Sequence, residues 1–417
     1  MYRAPRGTAD VMPVEQKYWR YIESKTRSLS QRYGYSRLDT PVFEHTGLFV
    51  RGVGEGTDIV EKEMYSFLDR GGESFTLRPE GTAAICRAYL EHGMANLPQP
   101  VRLYYLSPAF RYERPQAGRF RQHHQFGIEA IGDSDPAVDA EVVELAWYLM
   151  GELKLNQVQL VMNSIGDSNC RPGYIEQIKN FYSPKTEVIC EDCQKRLERN
   201  PLRLLDCKKD RCQKIAEDAP RCIDYLCSAC LDHWEQLLKY LDSLNIPYII
   251  NHRLVRGLDY YTRTVFEIQP INSSGQSTIC AGGRYDGLIE ELDGPPTPGI
   301  GFASGIERII LNLKTEGVDV PEEDYPKVVL AYLGNDAKST ALTLASKLRK
   351  IGIGSLLAPG GRSLKAQMRY ANSLGVPHVA VLGEDEMEKG TIILRDMSKG
   401  EQQEIPQSNI ENYLNKS

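Results

Sequence analysis

The strongest constraint on the fold is a polar stretch at residues 78–132 that has the alternation of an antiparallel hairpin. Strand-like segments flank a basic loop at residues 115–121. On the returning strand, Phe126, Ile128 and Ala130 share one face. The opposite face carries Arg121, His123, Gln125 and Glu129. A hairpin with an apolar back and an ionic front is typical of an open antiparallel sheet that binds a polar ligand.

The chemistry of the ionic face favours ligand binding over simple contact with water. A guanidinium pairs with phosphate through two parallel hydrogen bonds, and a glutamate accepts hydrogen bonds from an ammonium or an imidazole group. A surface hairpin whose polar side meets only water is the alternative interpretation. Because arginine, glutamine and glutamate interleaved on one strand face are unusual for solvation alone, we interpret the face as a binding floor.

Length and charge limit the class of protein. At 417 residues the chain exceeds the roughly 250–300 residues at which single cores stop growing, so it should contain more than one domain. A net charge of −6 argues against a uniformly basic nucleic-acid surface but leaves room for a local basic patch. No apolar run approaches the ~20 residues of a membrane span, and the first residues lack the apolar core of a signal peptide. We therefore expect a cytoplasmic protein without a membrane span.

The cysteines are concentrated between residues 190 and 230, where seven of the ten lie. Two Cys-x-x-Cys pairs, Cys190 with Cys193 and Cys227 with Cys230, could together bind a tetrahedral zinc ion through four thiolates. Without a secretory signal, a disulfide framework is not expected. Reduced thiols that fill a small helical insertion explain the same residues, and we expect free thiols and no metal.

Hydrophobic periodicity predicts several local elements. Residues 14–32 have the pattern of an amphipathic helix, and residues 35–49 that of an extended segment broken at a proline. Glycines and charges at residues 52–57 indicate a mobile loop. Residues 83–91 predict a helix that begins where a strand ends, with free backbone N–H groups that can bind an anion. Residues 277–281 predict a further strand of the same sheet.

The order of these elements predicts an α+β protein of two domains. A large antiparallel body at residues 1–322 contains a helical, cysteine-rich insertion at about residues 168–245. A linker rich in acids and prolines follows at residues 315–326. Beyond it, helices alternate with short apolar strands, which favours a compact, mostly parallel α/β domain at residues 323–417.

Three arginines are candidates for binding phosphate. Arg111, Arg256 and Arg308 each lie beside glycines or aromatic residues, where separate guanidinium groups could bind different phosphates of a triphosphate. The chain lacks the Gly-x4-Gly-Lys-Ser/Thr pattern of a P-loop. Each arginine taken alone also fits an ordinary surface or salt-bridge residue, and periodicity does not decide between the two.

Five motifs carry a resemblance to a known family. Residues 78–132 resemble motif 2 of the class II aminoacyl-tRNA synthetases. Residues 256–261 (Arg-Gly-Leu-Asp-Tyr-Tyr) and 281–286 (Ala-Gly-Gly-Arg-Tyr-Asp) resemble the two histidine-specific signatures of the histidyl-tRNA synthetase family. Residues 299–308 resemble motif 3, and Pro41 lies in a stretch similar to motif 1, which the family uses at its dimer interface. The resemblance extends over nearly the whole chain.

The resemblance implies a fold and an activity. The fold would be a class II catalytic domain with an antiparallel sheet and a helical insertion, followed by a C-terminal α/β anticodon-binding domain. The activity would be ATP-dependent ligation of histidine to tRNA(His) through a histidyl-adenylate, with ATP as substrate, Mg²⁺ as the accompanying ion and a homodimer as the assembly. The glycine-rich residues 52–56 would form a loop that closes over histidine. The insertion could contact tRNA or act only in stability.

The resemblance also implies roles for individual residues. Histidine binding is assigned to Glu80, Gly81, Thr82, Gln125, Glu129, Tyr260, Tyr261 and Tyr285. Glu80, Thr82 and Gln125 would bind its α-ammonium group, whereas Glu129 and Tyr261 would meet the two unlike nitrogens of its imidazole.

A further set of residues is assigned to the binding of ATP and tRNA. ATP binding is assigned to Arg111, Glu113, Arg256 and Arg308. Arg111 and Arg256 would be the catalytic groups at the α-phosphate, and Arg308 would bind the γ-phosphate. The acceptor end of tRNA is assigned to Arg114, Gln116 and Arg119. We expect the neighbouring His123 and His124 to pack or to be solvated, without a catalytic role.

Two other functions would fit parts of the sequence. Histidyl-synthetase-like chains also serve as regulatory subunits of the first histidine-biosynthesis enzyme, but those usually lack the anticodon-binding domain and parts of the histidine signatures. The present chain keeps Arg111, Arg256 and Arg308 together with a full C-terminal domain, which argues against that class. A zinc-dependent nucleic-acid binder built on the cysteines would leave the rest of the chain unexplained.

Overall fold

The structure is a computed structural model whose backbone divides into two compact units, residues 1–320 and residues 321–417. It describes residues 2–54, 56–271, 278–322 and 326–415. The strands of the first unit are β1 (Ser36–Arg37), β2 (Phe43–His45), β3 (Tyr65–Leu68), β4 (Ser74–Leu77), β5 (Val101–Phe110), β6 (Gln122–Ile131), β7 (Val158–Ser164), β8 (Tyr248–Ile250), β9 (Thr262–Pro270), β10 (Cys280–Arg284) and β11 (Gly299–Gly305). Its helices are α1 (Gln16–Arg32), α2 (Thr46–Val53), α3 (Thr82–Glu91), α4 (Pro136–Glu152), α5 (Arg171–Tyr182), α6 (Glu191–Arg199), α7 (Asp210–Glu217), α8 (Ser228–Ser243), α9 (Leu288–Glu291) and α10 (Ile306–Thr315).

An eight-stranded sheet in the order β1-β5-β6-β11-β10-β9-β7-β8 forms the centre of this unit. The predicted hairpin is confirmed, because β5 and β6 pair antiparallel over their full length. Glu129 on β6 lies opposite Leu103 of β5 and Gly301 of β11, so it is near the middle of the sheet. The front face of the sheet is the face on which Glu129 lies. The alternation predicted that this face is polar.

Helices cover the back face of the sheet. Phe126, Ile128 and Ala130 have no exposed surface and pack in a core with residues of α1, α4, α8 and α10. α4 begins at this face because Pro136 stands in its first turn and the Asp135 carboxylate accepts a hydrogen bond from the Ala137 N–H at 2.8 Å. The prediction of an apolar back face is therefore confirmed.

The predictions for residues 35–57 are partly wrong. A small sheet β2-β4-β3 is present, but Thr46–Val53 is helical where an extended segment was expected. Phe49 and Val53, four residues apart, pack against Ala83 of α3, and this burial outweighs the low helix propensity of the neighbouring glycines. The predicted mobile loop begins inside α2, and its residue 55 lies outside the described residues.

The strand expected at residues 277–281 is shifted along the chain to Cys280–Arg284, and residue 277 lies outside the described residues. Gly282 and Gly283 lie within this strand, and they permit close packing in the sheet. A Cβ atom at Gly282 would lie 2.3 Å from the Gly301 carbonyl oxygen, and one at Gly283 would lie 2.4 Å from the Thr264 carbonyl oxygen.

The insertion between β7 and β8 is built from helices α5 to α8 and short 3-10 turns, as its composition predicted. Its cysteines do not group as their spacing suggested. Cys190 and Cys193 lie with Cys207 and Cys212, whereas Cys227 and Cys230 lie with Cys170 and Asp167. The two Cys-x-x-Cys pairs therefore do not form one four-thiolate site.

The second unit has a mixed sheet in the order β13-β12-β14-β15-β16. β12 pairs parallel with β13 and β14, whereas β15 pairs antiparallel with β14 and β16, so the expectation of a mostly parallel sheet is wrong for half of the pairs. A tight turn with Gly400 at φ +73° joins β15 and β16 as a hairpin. The strands are β12 (Val328–Tyr332), β13 (Ser355–Leu357), β14 (His378–Leu382), β15 (Thr391–Asp396) and β16 (Gln402–Pro406), and the helices are α11 (Asn335–Lys350), α12 (Leu364–Ser373), α13 (Glu384–Lys389) and α14 (Ile410–Leu414).

Candidate active site

A cleft opens on the front face of the large sheet, between the loop that follows β5 and the segment that precedes β9. The cleft brings together ten residues that the sequence assigned to the site, namely Glu80, Thr82, Arg111, Glu113, Arg119, Gln125, Arg256, Tyr260, Tyr261 and Arg308. Of the remaining five, Glu129 and Tyr285 are bonded to or packed behind this lining, and Gly81 belongs to the turn that opens α3. Arg114 and Gln116 lie farther out, at the exposed tip of the loop after β5.

Glu129 is a buried carboxylate that is surrounded by hydroxyl groups. Thr82 Oγ1 donates to Oε1 at 2.8 Å, the Tyr285 hydroxyl donates to Oε2 at 2.6 Å, and the Tyr105 hydroxyl lies 3.4 Å from Oε1. Within the described part of the chain, none of the side chains that bond to it is a cation. Burial therefore raises its pKa to about 8, and Glu80 adds to this effect.

Glycines make room for the rings around this carboxylate. A Cβ at Gly127 would lie 2.0 Å from the Tyr105 ring, and one at Gly81 would lie 2.4 Å from the same ring. A Cβ at Gly301 would lie 2.0 Å from Glu129 Oε2. Gly81 therefore leaves room for the Tyr105 ring. The sequence did not identify Tyr105 as a neighbour of Glu129.

Glu80 and Gln125 form the wall beside Glu129. The Glu80 carboxylate accepts from the backbone N–H groups of Thr82 at 2.7 Å and Ala83 at 2.9 Å, so it caps the N-terminus of α3. Burial raises the pKa of Glu80, although these two N–H donors oppose the shift. The Oε1 atom of Gln125 is buried and has no hydrogen-bond partner within the described residues. Both side chains therefore present acceptor atoms to the cleft.

Arginines form the opposite end of the cleft, and hydrogen bonds fix their side chains. Arg111 Nε donates to the Pro79 carbonyl at 2.8 Å, and Arg308 Nη1 donates to the Thr278 carbonyl at 2.7 Å. Arg256 pairs with Glu267, and its own Nε is buried without a partner within the described residues.

The charge at this end of the cleft is only partly balanced. Burial lowers the pKa of Arg308, and the neighbouring Arg119 and Arg111 lower it further. Arg111, Arg119, Arg256 and Arg308 line the same cleft, so an anion that enters meets several guanidinium groups. This arrangement suits a polyphosphate.

The loop after β5 carries the remaining predicted residues. Glu113 pairs with Arg119, and the backbone groups of Gln116 and Arg119 bond to each other at 2.9 and 3.2 Å, which closes a tight turn. Arg114 is exposed at this turn, and Arg119 is half-buried above the cleft. The loop therefore reaches from the arginine end of the cleft to its opening.

The structure changes the interpretation of one of the two adjacent histidines. His124 packs edge-on against Trp19, with ring centroids 4.7 Å apart, and bonds to Glu307, as expected for a packing residue. His123 instead lines the cleft. Burial, followed by Arg111 and Arg308, lowers its pKa to about 3, so its imidazole is neutral. Its alternation with Gln125 was the sequence signal for this position.

A second polar cluster lies on the back face of the sheet. Arg284 and Asp139 are both without exposed surface, and Arg284 Nε donates to Asp139 Oδ1 at 3.0 Å. His233 Nε2 lies 2.9 Å from Asp139 Oδ2, and Arg284 Nη1 also donates to Asp286 at 3.0 Å. Burial acts to raise the pKa of Asp139, but Arg284 and His233 lower it below its ordinary value. This cluster ties β10, α4 and α8 together and was not recognised in the sequence.

Among the helices that the structure describes, none has the length and apolarity needed to cross a bilayer. The family model described as histidyl-tRNA synthetase matches residues 7–309, and the model described as anticodon binding domain matches residues 327–417. The Histidine–tRNA ligase of Dehalococcoides mccartyi is 56% identical over 406 residues, which cover 97% of each chain.

Two solved structures have the same fold as this chain. The crystal structure of apo S. aureus histidyl-tRNA synthetase has a TM-score of 0.84 at 40% identity and covers 99% of this chain and 100% of that chain. A structure from Bacillus halodurans C, described as an ATP phosphoribosyltransferase regulatory subunit/histidyl-tRNA synthetase, has a TM-score of 0.65 at 22% identity and covers 92% of this chain and 97% of that one. At that identity the second likeness shows the fold alone.

Proposed function

The chain belongs to the histidyl-tRNA synthetase family, and we propose that its cleft performs both steps that join histidine to tRNA(His). In the first step, a carboxylate oxygen of histidine attacks the α-phosphorus of ATP, the bond to the β-phosphate breaks, and pyrophosphate leaves. In the second step, a hydroxyl of the terminal adenosine of tRNA attacks the carbonyl of histidyl-adenylate, and AMP leaves. Each step needs positioning and charge stabilisation, without a protein nucleophile.

The observation that carries this proposal is that the buried carboxylate of Glu129 bonds to no cationic side chain among the described residues. A ligand that brings an N–H group to Glu129 would add a donor of a kind that the hydroxyl groups around it do not provide. Tyr261 lies on the adjoining wall of the cleft, so the two nitrogens of an imidazole would meet one carboxylate and one hydroxyl. Amino acids with apolar side chains would leave the carboxylate unmatched and be rejected.

The α-ammonium group of histidine would bind between Glu80, Thr82 and Gln125. All three line the cleft, and the unpartnered Oε1 of Gln125 is an acceptor that an ammonium group can use. Tyr260, whose hydroxyl lies 3.5 Å from Glu80 Oε2, and the buried Tyr285 would shape the pocket around the substrate.

ATP would bind as its magnesium complex at the arginine end of the cleft. Arg111 and Arg256 would contact the α-phosphate and stabilise the negative charge that increases during attack, and Arg308 would bind the γ-phosphate. Mg²⁺ prefers oxygen ligands and commonly binds substrate phosphates with one or two carboxylates, and Glu113 is a carboxylate on this wall. The ion would neutralise charge on the β- and γ-phosphates.

Two regions would bind tRNA, one at the opening of the cleft and one in the C-terminal domain. Arg114, Gln116 and Arg119, on the loop at the opening of the cleft, would approach the acceptor end, and the domain at residues 323–417 would bind the anticodon. Removal of residues 323–417 should impair tRNA charging more than histidine activation. Equal losses in both steps would contradict an anticodon-binding role, as measured by aminoacylation and pyrophosphate exchange on the same sample.

The assembly proposed is a homodimer in the cytoplasm. The small β2-β4-β3 sheet and the segment before it expose the large apolar side chains of Val42, Phe43, Phe67 and Leu68, and such a patch is typical of a protein interface. All ten cysteines lie in the described part of the chain and none of them forms a disulfide, which fits a reducing compartment.

Amino-acid-dependent exchange of pyrophosphate into ATP, run with each of the twenty amino acids, tests the proposed activity. Histidine alone should support exchange. A chain that supports no exchange but binds histidine would instead fit a regulatory subunit, and exchange with another amino acid would contradict the assignment of Glu129.

A further inference from the structure

Four cysteines of the insertion converge on one point. The sulfur atoms of Cys190, Cys193, Cys207 and Cys212 all lie within 4.8 Å of one another, and all four residues are buried. Cys190 and Cys193 belong to the start of α6, whereas Cys207 precedes α7 and Cys212 lies in its first turn. The fold thus brings two sequence-distant pairs to one cluster.

The separation of the sulfur atoms fits metal ligands better than a disulfide. Cys190 Sγ lies 3.9 Å from Cys207 Sγ, about twice the ~2.05 Å length of a disulfide bond. Four sulfurs at the zinc–sulfur distance of about 2.3 Å, in tetrahedral order, lie about 3.8 Å apart. The Cys190 N–H also donates to Cys212 Sγ at 3.3 Å, the kind of outer hydrogen bond that stabilises a thiolate ligand.

The two helices that contribute these cysteines are short. α6 has nine residues and α7 has eight, and helices shorter than about 12–15 residues are marginal alone. We propose that Cys190, Cys193, Cys207 and Cys212 bind a structural zinc ion as four thiolates. This site replaces the free thiols that the spacing alone favoured.

The second cysteine cluster does not support the same proposal. It offers Asp167 in place of a fourth cysteine, and both carboxylate oxygens of Asp167 already have partners. Oδ2 accepts from Arg263 at 3.2 Å and Oδ1 accepts from the Asn169 N–H at 3.0 Å. The cluster therefore lacks an uncommitted fourth ligand.

The zinc site would also stabilise part of the active site. Between the two cysteine pairs, Asn200 Nδ2 donates to Asp259 Oδ1 at 2.6 Å, within the segment that carries Arg256. Arg196 donates to Asp58 Oδ2 at 3.2 Å, in the segment that follows α2. Loss of the ion would free the two segments from these contacts, so the Michaelis constant for histidine should rise.

Metal analysis of the full-length chain, produced without a histidine tag and purified without chelators, tests the proposal. We expect roughly one zinc per chain for this site, released when a mercurial reagent modifies the thiols. In Cys193→Ser and Cys212→Ser the zinc content should fall at least about fivefold relative to the parent chain. Cys170→Ser, in the second cluster, and Cys280→Ser, in the large sheet, should retain it.

The mercurial titration keeps the proposal falsifiable if the variants fail to fold, because it uses the parent chain. Cobalt(II) exchanged into the site should give the strong thiolate-to-metal absorption of a tetrahedral four-sulfur centre. The proposal is overturned if the folded parent chain contains no zinc, if iron occupies the site, or if zinc is lost in Cys170→Ser and retained in Cys193→Ser.

Discussion

Glu129 and Asp139 are both buried carboxylates of the same unit, but they have opposite kinds of partners. On the back of the sheet, Asp139 is paired with Arg284 and His233, which lower its pKa. On the front, Glu129 receives hydrogen bonds from hydroxyl groups, and burial raises its pKa to about 8. Arg284 and Tyr285 are adjacent in sequence, and each donates to one of the two acids.

The partners of the two acids indicate a structural role for Asp139, and we infer a ligand-binding role for Glu129. The back cluster is complete, so its removal should affect folding. The front cluster lacks a cation within the described residues, and we propose that a ligand supplies the missing partner. The pH dependence differs accordingly. Folding lowers the pKa of Asp139, so the stability that Asp139 contributes is present above its unfolded pKa near 3.8 and is lost as the pH falls. Folding raises the pKa of Glu129, so the stability that Glu129 contributes is present below its unfolded pKa of 4.5 and is lost as the pH rises through about 8.

The largest expected effect is on the back cluster. Asp139→Asn should lower the free energy of unfolding by about 3–5 kcal/mol, because Arg284 would remain buried without its anion. Trp19, Trp147 and Trp234 all lie in the first unit, so urea unfolding followed by tryptophan fluorescence reports on that unit. A loss below about 1 kcal/mol would show that the cluster is not structural.

On the front face, Arg256→Ala should reduce histidine activation by 100-fold or more, about 3 kcal/mol of transition-state stabilisation. Pyrophosphate exchange measures this loss, and tryptophan fluorescence checks that the unit remains folded. Arg253→Ala removes a guanidinium outside the cleft lining and serves as the matched control, with near-normal exchange expected. Equal activity in the two variants would remove Arg256 from the catalytic groups.

The two tyrosine hydroxyl groups that donate to Glu129 should contribute unequally to histidine affinity. Tyr285 donates at 2.6 Å, so Tyr285→Phe should weaken histidine binding by about 1.5–3 kcal/mol. Tyr105 lies at 3.4 Å, so Tyr105→Phe should cost less than about 1 kcal/mol. Calorimetric titration with histidine compares the two variants. The reverse order would mean that hydrogen bonding to the carboxylate does not control affinity.

The smallest effect is on the pH dependence of binding. Because the ionised form of Glu129 pairs with the ligand, histidine affinity should rise roughly tenfold between about pH 6.5 and pH 8, after correction for the titration of free histidine. Binding near pH 7 should release a proton, which calorimetry in buffers of different ionisation enthalpy detects. No proton release together with a flat profile would contradict a raised pKa for Glu129.

The sequence predicted the parts of the site that depend on local periodicity. The two-residue alternation placed His123, Gln125 and Glu129 on one strand face, and the structure has this arrangement. It could not reveal Tyr105 beside Glu129, because that contact depends on strand register and on glycines in neighbouring strands. The sequence also could not predict which cysteines lie together or that Thr46–Val53 is helical, because tertiary packing determines both.

Histidine binding and unfolding of Glu129→Gln, measured on one sample, decide whether Glu129 binds the ligand or serves only the fold. The substitution removes a buried acid that is paired with no cation among the side chains that the structure describes. We expect calorimetry to show at least a 100-fold loss of histidine affinity, about 3 kcal/mol, while the free energy of unfolding at pH 8 stays constant or rises. Near-normal histidine binding with a large loss of stability would contradict it, because Glu129 would then be structural, as Asp139 is.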